Sequence, residues 1–469
     1  MKKKLFLFCI ALDLHYLCPH QLTIHLTPYI SMKNFCTQAA CVAVAILSLL
    51  LGSCSKKETE LIPDRQYLAV KLDESKVDEA GDTSWLIIDS EGNPIADAEY
   101  SGYFCNISSV EDGMFWVAVL NNAMDRKEYT LYNIEEPQKP ILEGMLSATM
   151  FHNGRAYICD EKGDLRLIDK KGNTIKKLPK NVEGVNQTFT SDELSVFVNH
   201  NEKYGYLDAD GEVAIPAKWK FAGPFNEGLA VVGNDEKSVR IIDTDGNQVG
   251  KFNAKKLEPL TMVFTDGLMP VLDRGTHKLK YIDKTGKVVR TAKGKYTGDY
   301  HAEVVYFDGF ACYVDGEKGV GIMDAECNPV VNPAYQSARH LSNGLFAVQS
   351  KGDEKWGLVN SKGEKLTACK YQSIITQFTF GGNILVYDGK KWSAITPEGK
   401  KVSGISFYDC EYGLWLECER KDPDYSPDYG TDDDTEIYPD DLYPDDSDIY
   451  PEAEDSVIMD ADSIIWDEE

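Results

Sequence analysis

The most specific chemistry in the sequence lies in Leu51-Gly-Ser-Cys54, where a thiol follows two small residues. Small residues before the cysteine suit a signal peptidase that cuts between Ser53 and Cys54, and the Cys54 sulfur can then take a lipid. The preceding apolar stretch, residues 39–51, is too short for a comfortable membrane span and has the right length for a signal core. We therefore predict cleavage between Ser53 and Cys54 and lipidation of Cys54.

Residues 32–53 match a bacterial lipoprotein signal from end to end. Lys33 gives the positive start, the apolar core follows, Leu51-Gly-Ser-Cys54 matches the lipobox, and polar residues 55–60 come next. This order argues against the alternative of a buried apolar strand with a chance cysteine. We expect translation to begin at Met32, which makes residues 1–31 a spurious extension, and residues 54–66 to form a linker.

A lipid on Cys54 predicts a membrane-anchored protein. Ser55 is not the Asp that often retains such proteins in the inner membrane of Gram-negative cells. We therefore predict an outer membrane lipoprotein of a Gram-negative bacterium. The periplasmic and the surface face of that membrane both stay open.

A turn that usually opens with Asp or Asn recurs about every 35 to 41 residues, and its acids could bind a metal or act as general bases. Nine copies align: Asp89-Ser-Glu-Gly92, Asn133-Ile-Glu-Glu-Pro137, Asp169-Lys-Lys-Gly172, Asp208-Ala-Asp-Gly211, Asp243-Thr-Asp-Gly246, Asp283-Lys-Thr-Gly286, Asp324-Ala-Glu-Cys327, Asn360-Ser-Lys-Gly363 and Thr396-Pro-Glu-Gly399. Asp or Asn can bond its own backbone two residues on, and Gly accepts a positive φ without steric cost. A short loop of this kind between β-rich runs predicts a hairpin with a bulge. Because turn chemistry explains these acids, we assign them no catalytic or metal-binding role.

A Gly opens a further apolar run in most copies, as in Gly228-Leu-Ala-Val-Val232 and Gly344-Leu-Phe-Ala-Val348. Such runs suit strands covered on both faces, and no long helical period interrupts them. We predict an all-β repeat domain over residues 67–420, a β-propeller ring of about eight blades, with an open β-solenoid as the alternative. Tyr67-Leu-Ala-Val-Lys-Leu72 and Gly413-Leu-Trp-Leu-Glu417 both resemble this Gly-opened strand, so the first and last units could be completed from opposite ends of the chain.

Three segments resemble the opening of the bacterial WG repeat: Lys203-Tyr-Gly-Tyr-Leu-Asp208, Lys355-Trp-Gly-Leu-Val-Asn360 and Lys391-Trp-Ser-Ala-Ile395. The later Phe225-Asn-Glu-Gly-Leu-Ala230 is similar to the second half of that repeat. Only Trp356-Gly357 keeps the literal pair, and Tyr204-Gly205 and Val320-Gly321 are variants. The resemblance implies a repeat scaffold, and it carries over no shared catalytic residues.

Residues 421–469 have a different composition, with 20 acidic side chains and one Lys. Frequent Pro and high charge predict a disordered acidic tail. A calcium loop at Asp432-Asp-Asp434 is the sharper alternative, but no glycine-bearing twelve-residue ligand pattern is present. The tail contributes −19 of the formal net charge of −27. No basic surface for phosphate is visible, so we predict no nucleic-acid partner.

Cysteine and histidine spacing indicates no further chemistry. Seven cysteines follow Cys54, and no two of them form a Cys-x-x-Cys pair. The odd number and the spacing favour neither a zinc site nor a disulfide framework. One incidental disulfide remains an alternative in an oxidising compartment. Cys312 and Cys418 fall within strand runs and are interpreted as buried thiols. The five histidines after Cys54 have no metal spacing and stand beside no nucleophile motif. We predict no catalytic, metal-binding or cofactor-binding residue.

These observations favour a non-catalytic, lipid-anchored scaffold of the cell envelope that binds a protein, peptide or glycan. A hydrolase or lyase acting on an extracellular polymer is one alternative, since propeller enzymes draw residues from several blades. A structural subunit of an envelope complex is another. The aromatic residues Trp219, Tyr335 and Tyr371 recur at one place in the repeat, which indicates core packing, because a substrate site should break the repeat.

Overall fold

The domain is a nine-bladed β-propeller ring. The computed structural model describes residues 62–72, 82–121, 126–186, 192–297, 301–341, 344–411 and 418–421. Contacts separate Met1–Pro63 from Asp64–Glu469, and the ring belongs to the second unit. Within the described residues, one short 3-10 helix, Gly316–Lys318, accompanies 38 strands.

The first four blades follow chain order. Blade 1 contains β2 (Tyr67–Lys71), β3 (Asp82–Asp89) and β4 (Pro94–Tyr103), preceded by the short β1 (Asp64–Arg65). Blade 2 contains β5 (Asn106–Ile107), β6 (Met114–Asn121), β7 (Arg126–Asn133) and β8 (Leu142–Met145). Blade 3 contains β9 (Ser147–Ala148), β10 (Arg155–Cys159), β11 (Leu165–Asp169) and β12 (Thr174–Lys177). Blade 4 contains β13 (Val182–Asn186), β14 (Ser195–Asn199), β15 (Tyr204–Leu207) and β16 (Val213–Trp219).

The next five blades repeat this plan. Blade 5 contains β17 (Phe221–Ala222), β18 (Leu229–Gly233), β19 (Val239–Asp243) and β20 (Gln248–Phe252). Blade 6 contains β21 (Leu257–Pro259), β22 (Met269–Asp273), β23 (Lys278–Ile282) and β24 (Val288–Thr291). Blade 7 contains β26 (Ala311–Val314), β27 (Val320–Met323) and β28 (Pro329–Tyr335), and β25 (His301–Ala302) pairs onto blade 8. Blade 8 contains β29 (Ser337–Leu341), β30 (Leu345–Gln349) and β31 (Trp356–Asn360). Blade 9 contains β32 (Ser373–Ile374), β34 (Ile384–Tyr387), β35 (Trp392–Ile395) and β36 (Lys401–Phe407), while β33 (Thr379–Phe380) pairs with β1. Two strands follow, β37 (Asp409–Cys410) and β38 (Cys418–Glu419).

The recurring acidic turn joins the third and fourth strands of a blade, as the sequence predicts. In blade 5, Asp243 Oδ1 accepts the backbone N–H groups of Asp245 and Asn247, at 3.1 and 2.8 Å. Gly246 has φ +78°, and its N–H donates to the Asp243 carbonyl at 2.9 Å. The pairing of β19 with β20 shifts register after Ile241, which is the predicted bulge.

The Gly of the Trp-Gly pair is required by the approach of the fourth strand. A Cβ on Gly205 would lie 2.6 Å from the Ile215 carbonyl oxygen and 2.7 Å from the Ala217 nitrogen. The β15–β16 pairing shifts register on both sides of Tyr206, so β16 bulges over Gly205 at this point. Gly321 and Gly357 meet backbone atoms of their own blades in the same way, the nearest at 2.5 and 2.9 Å.

Nine clusters of buried side chains hold the described part of the ring together, and each lies between two neighbouring blades. Strand β18 shows how one strand serves two clusters. Ala230 and Val232 face blade 4, while Val231 faces blade 6. The continuous apolar runs of the sequence are therefore strands covered on both faces.

The ninth cluster joins blade 9 to blade 1 and closes the ring. Strand β37 pairs with β2, Val70 opposite Cys410 and Lys71 opposite Asp409, and completes blade 1 from the far end of the chain. The open solenoid is therefore wrong. Residues 412–417, which contain most of the strand expected to close the ring, lie outside the described residues.

The prediction of about eight blades is wrong by one. It allowed the first and last repeats to share a blade, because both ends of the chain carry strand-like runs. Each of the nine turns instead has a sheet of its own, and the C-terminal segment gives blade 1 only its two-residue β37.

Candidate binding site

The ring has two faces, because successive connections of an antiparallel blade lie at alternate ends of its strands. We call the face that carries the first and third turns of each blade the turn face. The opposite face carries the second loops and the links between blades, and we call it the loop face. Contacts between blades respect this division: Arg155, which opens β10 directly after the first turn of blade 3, donates to the Ala209 carbonyl in the third turn of blade 4 at 2.7 Å.

The turn face is acidic. The nine third turns listed from the sequence contain thirteen acids and four lysines within their first four residues. The described first turns of blades 2 to 7 add seven acids and no Lys or Arg: Glu111, Asp112, Asp192, Glu193, Glu227, Asp266 and Asp308. Seven third-turn acids on this face have exposed side chains: Glu91, Glu135, Glu136, Asp210, Asp245, Glu326 and Glu398.

Hydrogen bonds fix the acids that open the third turns. Asp324 Oδ1 accepts the N–H groups of Asn328 and Glu326, at 2.8 and 3.0 Å. The pKa of Asp324 is lowered, chiefly because the Asn328 N–H donates to the charged carboxylate. The Asp324 carboxylate thus keeps its charge and its place at once.

A chain of hydrogen bonds links the first turns of blades 2 to 7. The Glu227 carboxylate accepts the N–H groups of Asp266 and Gly267 in the next blade, at 2.9 and 2.7 Å. Asp266 in turn accepts the N–H of Gly309 at 2.8 Å. Other links of this kind join Asp112 to Gly154, Asn153 to Glu193 and Asp192 to Gly228. The spacing of charge across this face is therefore set by the ring.

Two polar groups break the repeat near the first strands of the blades. The Arg65 guanidinium lies 4.0 Å from the ring centre of Phe378, and Nε and Nη1 of Arg65 have no hydrogen-bond partner among the described residues. Burial raises the pKa of Glu111, an effect that Arg65 opposes. Strand β1 brings Arg65 here by pairing in parallel with β33.

The second polar group is a buried pair between blades 7 and 8. The Glu303 carboxylate accepts the backbone N–H of His340 at 2.7 Å, and burial raises its pKa. The His340 ring is 2% exposed and packs on Phe307 and Phe346, at 5.0 and 4.4 Å between ring centres. Burial lowers the pKa of His340 to about 4, so the imidazole is neutral near pH 7.

The loop face carries a set of exposed lysines that we call the lysine arc: Lys177, Lys180, Lys218, Lys220, Lys255, Lys256, Lys293 and Lys295. They lie in or beside four successive links, from blade 3 to blade 7, and residues 177–181, 218–220, 253–256 and 292–297 contain no Asp or Glu. The loops between second and third strands on the same face carry both signs. Among the described residues of this face, the lysine arc is thus the one series of successive links between blades that carries a single sign of charge.

The described residues 418–421 lie on the loop face. Strand β38 pairs with β13 and adds a fifth strand to blade 4. The Arg420 guanidinium donates to the carbonyls of Gly163, at 2.8 Å, and Val182, at 3.2 Å. Lys421, the last described residue, therefore lies where blades 3 and 4 meet, next to one end of the lysine arc.

The predicted site residues Ser53 and Cys54 lie outside the described residues. Trp219, Tyr335 and Tyr371 pack in or against the clusters between blades, which confirms their interpretation as core. Cys312 and Cys418 are buried in strands as predicted, and the cysteines of the described region are free thiols. Within that region no three His, Cys, Asp or Glu side chains gather as a metal group, and no helix is long and apolar enough to cross a membrane.

Sequence reasoning missed the links between first turns and the division of charge between the two faces. A signal for the links was present, since Asp112-Gly113, Glu227-Gly228, Asp266-Gly267 and Asp308-Gly309 are all acid-glycine pairs. In each pair both residues have positive φ, as a two-residue type I′ hairpin requires. The carboxylates of Asp112, Glu227 and Asp266 accept N–H groups of the next blade, which the local pattern cannot show.

Comparison with known families finds the WG repeat. Residues 204–237, 321–353 and 356–392 match the family model described as WG containing repeat. The matches begin in β15, β27 and β31, so the prediction of WG-type repeats is confirmed for these three segments. No curated protein matches the sequence.

Several solved structures are similar to the chain at low identity. A eukaryotic initiation factor shares 12% identity, covers 76% of this chain and 99% of its own, and has a TM-score of 0.48. BamB from Moraxella catarrhalis shares 12% over 63% of this chain and 91% of its own, with a TM-score of 0.33. The computationally designed Ika8 protein shares 10% over 64% and 95%, with a TM-score of 0.35.

Proposed function

We propose that this propeller is a non-catalytic binding scaffold, anchored by a lipid on Cys54 at the outer membrane of a Gram-negative bacterium. The ring binds a basic segment of a protein or peptide on its turn face. The observation that carries the proposal is the array of carboxylates on that face, held by hydrogen bonds within turns and between blades.

Preorganisation supports this function. A partner that meets fixed carboxylates need not order them, so less free energy is lost on association. Charges of one sign across a face also speed the encounter with an oppositely charged partner and disfavour like-charged ones. Glycans without charge gain little from such a face, which favours a basic protein or peptide.

Binding of a fluorescent ten-lysine peptide at low ionic strength tests the turn face. Glu91→Gln, Asp245→Asn and Glu326→Gln together neutralise three exposed turn acids whose carboxylates accept no backbone hydrogen bond among the described residues. We expect the affinity to fall by about threefold to tenfold, and the difference to disappear at high salt.

The matched control neutralises three exposed acids on the loop face, Glu161→Gln, Glu202→Gln and Glu236→Gln. The acidic tail is the same in all three proteins, so its contribution cancels. An equal loss of affinity in both triple variants would mean that the peptide senses net charge alone, and the proposed binding face would be abandoned.

The anchor is proposed from Leu51-Gly-Ser-Cys54 and is tested in cells. Labelling with a clickable palmitate analogue should mark the wild-type protein and leave Cys54→Ala unlabelled as a precursor. Ser55→Asp should keep the label and move the protein to the inner membrane fraction. An unlabelled wild-type protein would end the lipoprotein proposal.

A further inference from the structure

The loop face contains a cavity in the middle of the lysine arc. It has a volume of about 490 Å³ and lies between the link that joins blades 5 and 6 and the second loop of blade 6, and Gly286 from the third turn of blade 6 also lines it. Phe252 and Leu257 give it an apolar wall, and Lys255, Lys256 and Arg274 surround it with positive charge. It is the kind of site that accepts an aromatic ring accompanied by carboxylates.

The acids beside the cavity are paired with other cations and do not cancel the charge of Lys255 and Lys256. Asp273 is paired with the Lys280 ammonium, and it also accepts the N–H of Gly275 at 2.9 Å. Arg274 pairs with Glu258 at 2.9 Å. Lys255 and Lys256 are exposed and form no ion pair with any described residue.

The chain itself contains a segment with the complementary chemistry. Residues 422–469 carry 20 acids and no Lys or Arg. Within them, Tyr438-Pro-Asp-Asp441 and Tyr443-Pro-Asp-Asp446 each place an aromatic ring two residues before a pair of carboxylates, and Tyr450-Pro-Glu452 repeats the pattern loosely. Because the motif is repeated, more than one segment of the tail has the chemistry to occupy the same cavity.

The start of this segment is in the right place. Arg420 holds the chain against Gly163 and Val182 on the loop face, so Lys421, the last described residue before the segment, lies beside the end of the lysine arc. An extended chain spans about 3.3 Å per residue, and the residues from Lys421 to Tyr438 therefore reach up to roughly 55 Å. Because the segment is tethered, its effective concentration at the arc is on the order of millimolar, and a weak contact suffices to seat it.

We propose that the acidic C-terminal segment, residues 422–469, docks on the lysine arc of its own ring and places one of its Tyr-Pro-Asp-Asp motifs in the cavity beside Lys255 and Lys256. The tail then covers the lysine arc and leaves the acidic turn face open. The proposal does not depend on the lipid anchor or on a partner at the turn face, so failure of either leaves it standing.

Carbodiimide cross-linking of the full chain tests the docking, since it joins a carboxylate to an amine only at contact distance. Mass spectrometry should find tail peptides joined to Lys255, Lys256, Lys220 and Lys293. In 0.5 M NaCl the yield should fall at least fivefold, because exposed charge pairs are screened. In Lys255→Gln with Lys256→Gln, the tail cross-links to Lys220 and Lys293 should fall by a similar factor.

The control variant is Lys400→Gln with Lys401→Gln, an exposed lysine pair on the turn face, which should leave the tail cross-links to the arc unchanged. Mixing ¹⁵N-labelled and unlabelled protein separates contacts within one chain from contacts between chains. In a 1:1 mixture, contact within one chain gives no product that joins labelled to unlabelled peptides, whereas contact between chains makes such mixed products about half of the total. Mixed products at that share would place the tail on a second copy and overturn the proposal. Cross-links spread evenly over lysines of both faces, or none to the arc, would also overturn it.

A second arm identifies a competing occupant. The protein is sedimented with phosphatidylglycerol vesicles, with and without the Lys255→Gln and Lys256→Gln pair. Docking of the tail predicts that the full chain binds these vesicles weakly and equally in both forms. Vesicle binding that depends on the two lysines, in a protein whose tail gives no cross-link to the arc, would assign the arc to a lipid surface instead.

Discussion

Single glycines of this ring are required for two different reasons, which two substitutions separate. Gly205→Ala places a Cβ at 2.6 and 2.7 Å from backbone atoms of β16, and we expect it to lower the free energy of unfolding by about 2–3 kcal/mol through overpacking. Gly228 has φ +74° and nothing within 4 Å of a new Cβ, so Gly228→Ala should cost only about 1 kcal/mol of left-handed strain. Urea unfolding of both variants measures the difference. Equal losses of unfolding free energy in the two variants would show that β16 shifts to make room for the new Cβ. The close approach of β16 would then not explain why Gly is required in the Trp-Gly pair.

His340 makes stability depend on pH in a defined window. Burial lowers its pKa from 6.5 to about 4 in the folded protein. As the pH falls below 6.5, the His340 imidazole binds a proton in the unfolded chain but not in the folded protein. The free energy of unfolding therefore decreases until the imidazole of the folded protein is also protonated, near pH 4. The full loss is about 3 kcal/mol, of which about 2 kcal/mol is reached by pH 5.

His340→Phe should remove this dependence, since a phenyl ring can pack on Phe307 and Phe346 without titrating. Glu303 titrates in both proteins, so the difference in unfolding free energy between wild type and variant, measured at pH 7.5 and pH 5, isolates the imidazole. His200→Gln, at an exposed position, is the control. If the wild type loses no more stability than His340→Phe over this range, the imidazole is protonated or hydrated in the folded state.

At the residue scale, the sequence predicts what is local. The Asp-Gly turns, the buried strand cysteines and the recurring Trp219 could all be placed because their roles depend on neighbours a few positions away. The acids of the first turns could not, since Glu227 acts on Asp266 and Gly267 across a blade boundary. His340 and Glu303 could not be paired either, because 37 residues separate them.

The two-residue strand β38 depends on Arg420 for its place. The pairing of two residues and the contacts of Ser147 with Glu419 attach β38 only weakly to blade 4. The Arg420 guanidinium adds hydrogen bonds to two backbone carbonyls, those of Gly163 and Val182. Removing charged hydrogen bonds of this kind costs about 1.5–3 kcal/mol. Arg420→Ala should therefore release β38 from blade 4 and expose Cys418, which is fully buried in the intact protein.

Alkylation of Cys418 by iodoacetamide, followed by peptide mass spectrometry, measures the release. We expect the rate to rise about tenfold or more in Arg420→Ala, and less in Arg420→Lys, which keeps the charge. Cys312, fully buried in β26, serves as the internal control. An unchanged rate at Cys418 would show that β38 is held by its own pairing.

At the element scale, hairpins were predictable and additions to the blades were not. The third and fourth strands follow from alternation around an Asp-Gly turn, and the second strand follows from the Gly before it. Strands β1, β25 and β38 are two residues long and pair with distant partners, so neither length nor periodicity marks them. They bring Arg65, Glu303 and Arg420 to places that the repeat alone does not supply.

For the whole molecule, the number of blades and the division of charge arise from closure. Nine repeats were visible in the sequence, yet whether the first and last share a blade depends on how far the C-terminal segment reaches. The ring also converts a one-dimensional pattern into two faces: acids that are spread along the chain collect on the turn face, and the lysines of four links collect on the other. The amino-acid composition alone gives the net charge and does not show how the acids and lysines are divided between the two faces.

Closure itself can be tested by removing the strand that seals the ring. A chain ending at Phe407 lacks β37, whose Cys410 packs between blades 9 and 1, and it loses the bonds from Tyr408 to Lys71 and from Glu411 to Ala69. A chain ending at Lys421 keeps β37 and β38 and lacks only the tail. The first truncation should loosen both ends of the chain at once, because β2 and blade 9 share the seal, whereas the second should leave both protected.

Hydrogen exchange on the two truncated chains measures this difference. In the chain ending at Phe407, amides of β2, β3 and β35 should exchange at least about tenfold faster, since two backbone hydrogen bonds contribute about 2 kcal/mol. Strand β13 should loosen as well, because β38 is also lost, while β22 and β23 of blade 6 should keep their protection. Loosening confined to blade 9, with β2 as protected as in the chain ending at Lys421, would show that β37 does not seal the ring and that the cluster between blades 9 and 1 holds it closed without that strand.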